Sequence, residues 1–155
     1  MTPIRIALAA ALIAATPSAF AQTAKPQVSG GWVRLPPVAT RPAAGYLTLK
    51  GSAQADTLVK VDAPFAGRVE LHAMKSEGGV MKMIRQDKID VPANGTVTLA
   101  PGGMHLMFFD LKNPPAAGSK ATVTLTFAKA GAITVPLDVR TVTGEPAMKD
   151  HGGHH

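Results

Sequence analysis

The sequence predicts an all-β chain, a single-domain antiparallel β-sandwich of roughly seven to nine short strands. Two observations carry that prediction. Apolar and polar residues alternate with period 2 along several stretches, and Gly, Pro or Asn clusters separate many of them. Beyond the N-terminal segment, no stretch shows a clear apolar stripe at helical spacing.

The clearest strand pair is V-T-L-T-F at 123–127 and I-T-V-P-L-D-V at 133–139, joined through Lys129, Ala130 and Gly131 as a hairpin. Pro136 falls on the polar phase and has no N–H, which predicts a sheet edge or a bulge on that arm. Further strands are expected at 31–34, 45–50, 57–61, 68–74, 80–86, 96–99 and 105–111. Turn signals stand at Pro36-Pro37, Pro92-Ala93-Asn94-Gly95, Pro101-Gly102-Gly103 and Asn113-Pro114-Pro115. Only the ends, 22–27 and about 144–155, read as disordered.

The first residues speak to the compartment. Arg5, the apolar run 6–15 and Ala19-Phe20-Ala21 have the pattern of a secretory signal peptide cut after Ala21. The apolar run is shorter than the roughly 20 residues of a spanning helix. No cysteine follows the cut, so the expected product is soluble, exported and periplasmic, neither lipid-anchored nor inserted in a membrane. Residues 22–143 would form the domain and 144–155 a flexible tail. Of 16 Lys and Arg only Arg5 leaves with the leader, so 15 basic against 10 acidic side chains give the remainder a formal +5. Those cations are scattered and aromatics are few, which argues against nucleic acid. With no cysteine, disulfides are excluded, and a chain of this size can fold on its core alone.

The chemistry is concentrated in L-H-A-M-K-S-E-G-G-V-M-K-M (71–83) and M-H-L-M (104–107). Of seven methionines Met1 goes with the leader, leaving six, and Met74, Met81, Met83, Met104 and Met107 all fall in this region. The two histidines of the domain, His72 and His105, each stand two before a methionine. On strands that spacing puts His72 with Met74, Met81 with Met83, and His105 with Met107 on common faces, about 6–7 Å apart. Thioether and imidazole donors match Cu(I) best. Zinc prefers thiolate, imidazole or carboxylate, and calcium and magnesium want oxygen. A blue-copper centre needs a thiolate and a c-type haem a C-x-x-C-H, both absent. Packing is the competing reading for each methionine taken singly; the joint pattern favours a metal site.

His72, ten residues, Met83, twenty-one residues, then His105-x-Met107 resembles the H-x10-M-x21-H-x-M motif of the periplasmic copper chaperones called PCu(A)C. Gly31-Trp32-Val33-Arg34 with Pro36 and Pro37, Ala44-Gly45-Tyr46, Glu70-Leu71-His72, Gly79-Val80-Met81 and Gly102-Gly103-Met104-His105 are similar to the same family. The resemblance implies a cupredoxin-like (immunoglobulin-like) β-sandwich that binds one Cu(I) near its surface through His72, Met83, His105 and Met107. It further implies delivery towards the CuA centre of cytochrome c oxidase, to subunit II directly or through a thiol-bearing assembly factor. Met74 is an auxiliary candidate, and Met81 reads as packing. Ligand imidazoles must be unprotonated, so Cu(I) binding is expected to weaken as pH falls through about 6.5, the ordinary histidine value.

In the tail, Met148, His151, His154 and His155 form a second cluster. Such tracts suit Cu(II), although a disordered polar terminus or a purification-tag remnant, taken together, explains them slightly better. No nucleophile elbow or phosphate loop is present, so an enzyme is not expected. The alternatives are copper sequestration or resistance, or a structural β-sandwich without metal. A monomer is expected.

Overall fold

The structure, a computed structural model, describes residues 24–142. The leader 1–21 and the tail 144–155, with Met148, His151, His154 and His155, lie outside the described residues. Within them the regular elements are ten strands: β1 (Gln27–Arg34), β2 (Ala43–Lys50), β3 (Asp56–Asp62), β4 (Ala66–Glu77), β5 (Val80–Gln86), β6 (Ile89–Val91), β7 (Thr96–Leu99), β8 (His105–Leu111), β9 (Lys120–Phe127) and β10 (Gly131–Arg140).

The expected all-β single domain is what forms, and three strands have the expected limits. Two differences have physical causes. β1 begins at Gln27, within the segment read as disordered, because a register shift between Ser29 and Trp32 breaks its alternation, with Gly30 at φ 60°. β6 was not expected: its Ile-Asp-Val is too short for a pattern to register, although Ile89 and Val91 are buried.

Hydrogen bonding links nine strands in the order β5-β4-β8-β2-β1-β10-β9-β3-β6. β7 shares one side of β2 with β8: Ala43 to Gly45 pair with β8, and Leu47 to Lys50 pair with β7. Every pair is antiparallel except β1 with β10, which is parallel, so the sheet is mixed. That one parallel pair departs from the antiparallel pattern expected of the sandwich. First and last strands are joined by no hairpin, so nothing obliges them to run in opposite directions. β10 is also not an edge. Pro136 pairs with Thr122 of β9, while the ladder to β1 begins only at Asp138, so the missing N–H interrupts nothing there.

The sheet closes over one core. Val33, Leu47, Leu49, Leu58, Leu71, Leu106, Phe108, Val123, Leu125, Leu137 and Val139 belong to a single buried cluster drawn from both halves of the strand order. Phe65 and Phe108 lie within it with ring centroids 5.1 Å apart. Gly45 makes room for this: a Cβ there would lie 2.6 Å from the Phe108 ring. A polar clamp closes the far side. Buried Asp56 accepts from the backbone N–H groups of Thr57 (2.7 Å), Lys129 (2.9 Å) and Ala130 (2.9 Å), tying β3 to the β9–β10 turn. Burial alone would raise the Asp56 carboxyl, but the Lys129, Thr57 and Ala130 donors hold it below the ordinary carboxylate value.

Candidate metal centre

Alternation decides which residues leave the core. Leu71 on β4 and Leu106 and Phe108 on β8 point inward and are buried, so His72, His105 and Met107 take the outer face. β4 and β8 pair with His72 directly opposite His105 and Glu70 opposite Met107. Across the other side of β4, Met74 is opposite Met83 and His72 is opposite Arg85. Residues separated by up to 37 positions in the chain, Glu70 and Met107, therefore share one patch two strand-steps wide.

The two-residue turn Gly78-Gly79, with φ of 59° and 80°, closes the β4–β5 hairpin as type I′ and sets this register. Met81 lies one step farther out, opposite Ser76. Met104 stands apart from the patch, partly buried against the core at the turn before β8. Met83 and Met81 are 49% and 54% exposed, whereas His72 and His105 are buried. The imidazoles form a floor and the thioethers an accessible rim.

The imidazole ring centroids lie 5.6 Å apart. His105 Nδ1–H donates to the Gly103 carbonyl at 3.1 Å, since a carbonyl can only accept. His72 Nε2–H donates to the Glu70 carboxylate at 2.8 Å. In a neutral ring these bonds fix the tautomer and leave the lone pair on His72 Nδ1 and on His105 Nε2. These two atoms are the buried side-chain nitrogens or oxygens that find no hydrogen-bond partner among the described residues. A buried group left unsatisfied costs about 1–3 kcal/mol, so two on neighbouring rings call for an occupant. A cation with affinity for imidazole satisfies both at once.

Glu70 is the functional residue that sequence reasoning passed over; it stood there only as a flank of the motif. Its position two before His72 on a strand was the available signal. The hydrogen bonds from His72 and then Arg68 hold its carboxyl below the ordinary value. Arg68 bonds Glu70 at 3.0 Å and lies 4.2 Å over the Phe109 ring, which in turn packs 6.1 Å from His72. On the other flank Tyr46 sits 6.4 Å from His105 and 4.6 Å from Trp32. Among the described residues no three His, Cys, Asp or Glu side chains cluster to hold an ion, so methionine has to complete any donor set here.

Fold and face together define a small β-sheet domain presenting soft, neutral donors at its surface. Known proteins place it further. The family described as "Putative lipoprotein LpqE-like" matches residues 27–139. Lxx21020 of Leifsonia xyli subsp. xyli (strain CTCB07), also named as a lipoprotein, is 33% identical over 119 residues, 76% of this chain and 71% of its own length. Among solved structures, the copper-bound PCuAC domain from PmoF2 superimposes with a TM-score of 0.65 at 28% identity, covering 76% of this chain and 94% of that one. The Cu(I) form of DR1885 from Deinococcus radiodurans gives 0.53 at 30% identity, covering 73% of this chain and 78% of that one. The chain belongs to the LpqE-like family, and its domain is of the PCuAC type. Among the described residues no helix is long and apolar enough to cross a membrane.

Proposed function

We propose that this protein is a periplasmic copper chaperone that carries one Cu(I) on the outer face of β4, β5 and β8. His72 Nδ1, His105 Nε2 and the thioethers of Met83 and Met107 are its ligands, with Met74 as an auxiliary donor. The observation that carries this reading is the pair of buried, unpartnered ring nitrogens on facing strands. The copper-bound PmoF2 domain and the Cu(I) form of DR1885 support it.

The donor set suits a carrier better than a catalyst. All four ligands are neutral, so bound Cu(I) keeps its single positive charge and exchanges readily towards thiolates, which are soft and anionic. The recipient in this reading is the CuA site of cytochrome c oxidase subunit II, reached directly or through a thiol-bearing assembly factor. Met148, His151, His154 and His155 in the tail are a separate Cu(II) site in the same proposal.

A competition titration with a coloured Cu(I) chelator tests the main site. One equivalent bound tightly is expected, lost in His72→Ala, Met83→Ala, His105→Ala and Met107→Ala and retained when the chain is cut after Gly144. Equal binding by all four variants overturns the assignment. Cu(II) binding that survives the same truncation overturns the tail site.

A further inference from the structure

We propose that Arg34 and Arg140 form an anion clamp that docks an acidic protein partner over the metal-bearing face; this deepens the chaperone reading and rests on it. The two residues are register partners across the parallel β1–β10 pair, so two like charges stand side by side. Each guanidinium is held against an aromatic ring: Arg34 lies 5.5 Å from the Tyr46 centroid and donates to the Tyr46 hydroxyl at 2.8 Å, and Arg140 lies 4.7 Å over Trp32. Among the described residues neither makes an ion pair.

The carboxylates on this face are already engaged, Glu70 by His72 and Arg68, and Asp138 by Lys120. Like charges set in register repel; the nearby Asp138 carboxylate feels the charge of Arg140 but gives its hydrogen bond to Lys120, and Arg34 has no ion-pair partner among the described residues. Stacked, half-buried guanidiniums are pre-ordered for two-point recognition of carboxylates, which reduces the entropy lost on binding. Beside Arg140 the surface dips into a depression of about 310 Å³ lined by Gly30, Gly31, Lys120 and Asp138, with the Asp138 carboxylate bound to Lys120, so that the Arg140 guanidinium is the cation left there for an incoming carboxylate.

Position connects the clamp to the metal. Arg140 pairs with Arg34, Arg34 with Ala44, Ala44 with Met107, and Met107 with Glu70 in one line across the face. At about 4.8 Å per strand, Arg34 lies about 10 Å and Arg140 about 15 Å from Met107. The residue between, Ala44, raises nothing taller than a methyl group. An acidic surface held by the two arginines therefore lies across Met107 and the imidazole pair. A partner protein fits this arrangement better than a lipid surface, because the donors it must reach are recessed imidazoles and a thioether a few strand-steps along the same outer face.

The test uses two synthetic peptides with the same pair of cysteines, one flanked by glutamates and one by glutamines. Cu(I) transfer from the loaded protein should be about 10-fold faster to the acidic peptide at low salt, with the preference shrinking as ionic strength rises. Arg34→Gln/Arg140→Gln should abolish the preference with Cu(I) affinity unchanged, and Arg34→Lys/Arg140→Lys should keep less than half of it. A charge-matched control, Lys50→Gln/Lys112→Gln, should keep all of it. A control that loses as much as the arginine variant overturns the clamp in favour of overall charge.

A copper-free arm separates this inference from the chaperone reading. The acidic peptide with serines for cysteines should change the emission of Trp32, the sole tryptophan, in the wild type and not in Arg34→Gln/Arg140→Gln. No change in either overturns the clamp even if copper binds, and a clear change supports it even if copper does not. Arginine-dependent binding to phosphatidylglycerol vesicles, with no peptide preference, identifies a membrane surface and overturns the protein partner.

Discussion

Glu70 shows how a residue that is no ligand can decide what a neighbouring ligand offers. By accepting from His72 Nε2–H it leaves Nδ1 as the free nitrogen, the carboxylate–histidine arrangement that commonly orients metal-binding imidazoles. Glu70→Ala is expected to lower Cu(I) affinity about 10- to 100-fold in chelator competition, and Glu70→Gln, which keeps an acceptor oxygen, to recover most of it. The ring-nitrogen NMR signature of His72 should shift to a tautomer mixture in the alanine variant only. His105 is set by the Gly103 carbonyl instead, a backbone group that no side-chain substitution removes.

At the scale of elements, the β4–β5 hairpin is the part that side-chain packing supports least. β5 ends the sheet, and Val80, Met81 and Met83 are exposed, so its register depends on the turn and on pairs such as Lys82 Nζ with Glu77 at 2.9 Å. Lys82 and Arg85 also keep this open edge from pairing with another chain. A Cβ at Gly78 would meet nothing within 4 Å, so the cost of Gly78→Ala is the left-handed φ alone, about 1–2 kcal/mol. Urea unfolding should show that loss. Cu(I) affinity should fall as well, because the same turn sets Met83 opposite Met74.

For the whole molecule, the Asp56 clamp joins strands from distant parts of the chain and links stability to pH. Its carboxyl is lowered in the folded state from an ordinary 3.8, so its contribution is present above that value and is lost as pH falls through the lowered one. Asp56→Ala strands backbone donors at Lys129 and Ala130 and should cost about 1–3 kcal/mol at neutral pH. Unfolding curves of variant and wild type should converge as pH drops below the ordinary Asp value. Convergence at neutral pH would show that the clamp contributes nothing.

Much was legible in the sequence because it rests on local periodicity. The limits of β5, β7 and β8, the hairpin through Gly131, and the shared faces of His72 with Met74 and His105 with Met107 all follow from period-2 alternation and turn residues. The donor chemistry follows from residue type alone, since a chain without cysteine that gathers methionine and histidine favours a soft cation. What tertiary structure alone decided is everything that depends on which strands become neighbours. The parallel β1–β10 pair, β6, the His72–His105 pairing, the tautomers set by Glu70 and Gly103, and the juxtaposition of Arg34 with Arg140 are long-range facts. Strand order is settled by burial of one common core, a sum over residues from the whole chain that no local pattern contains.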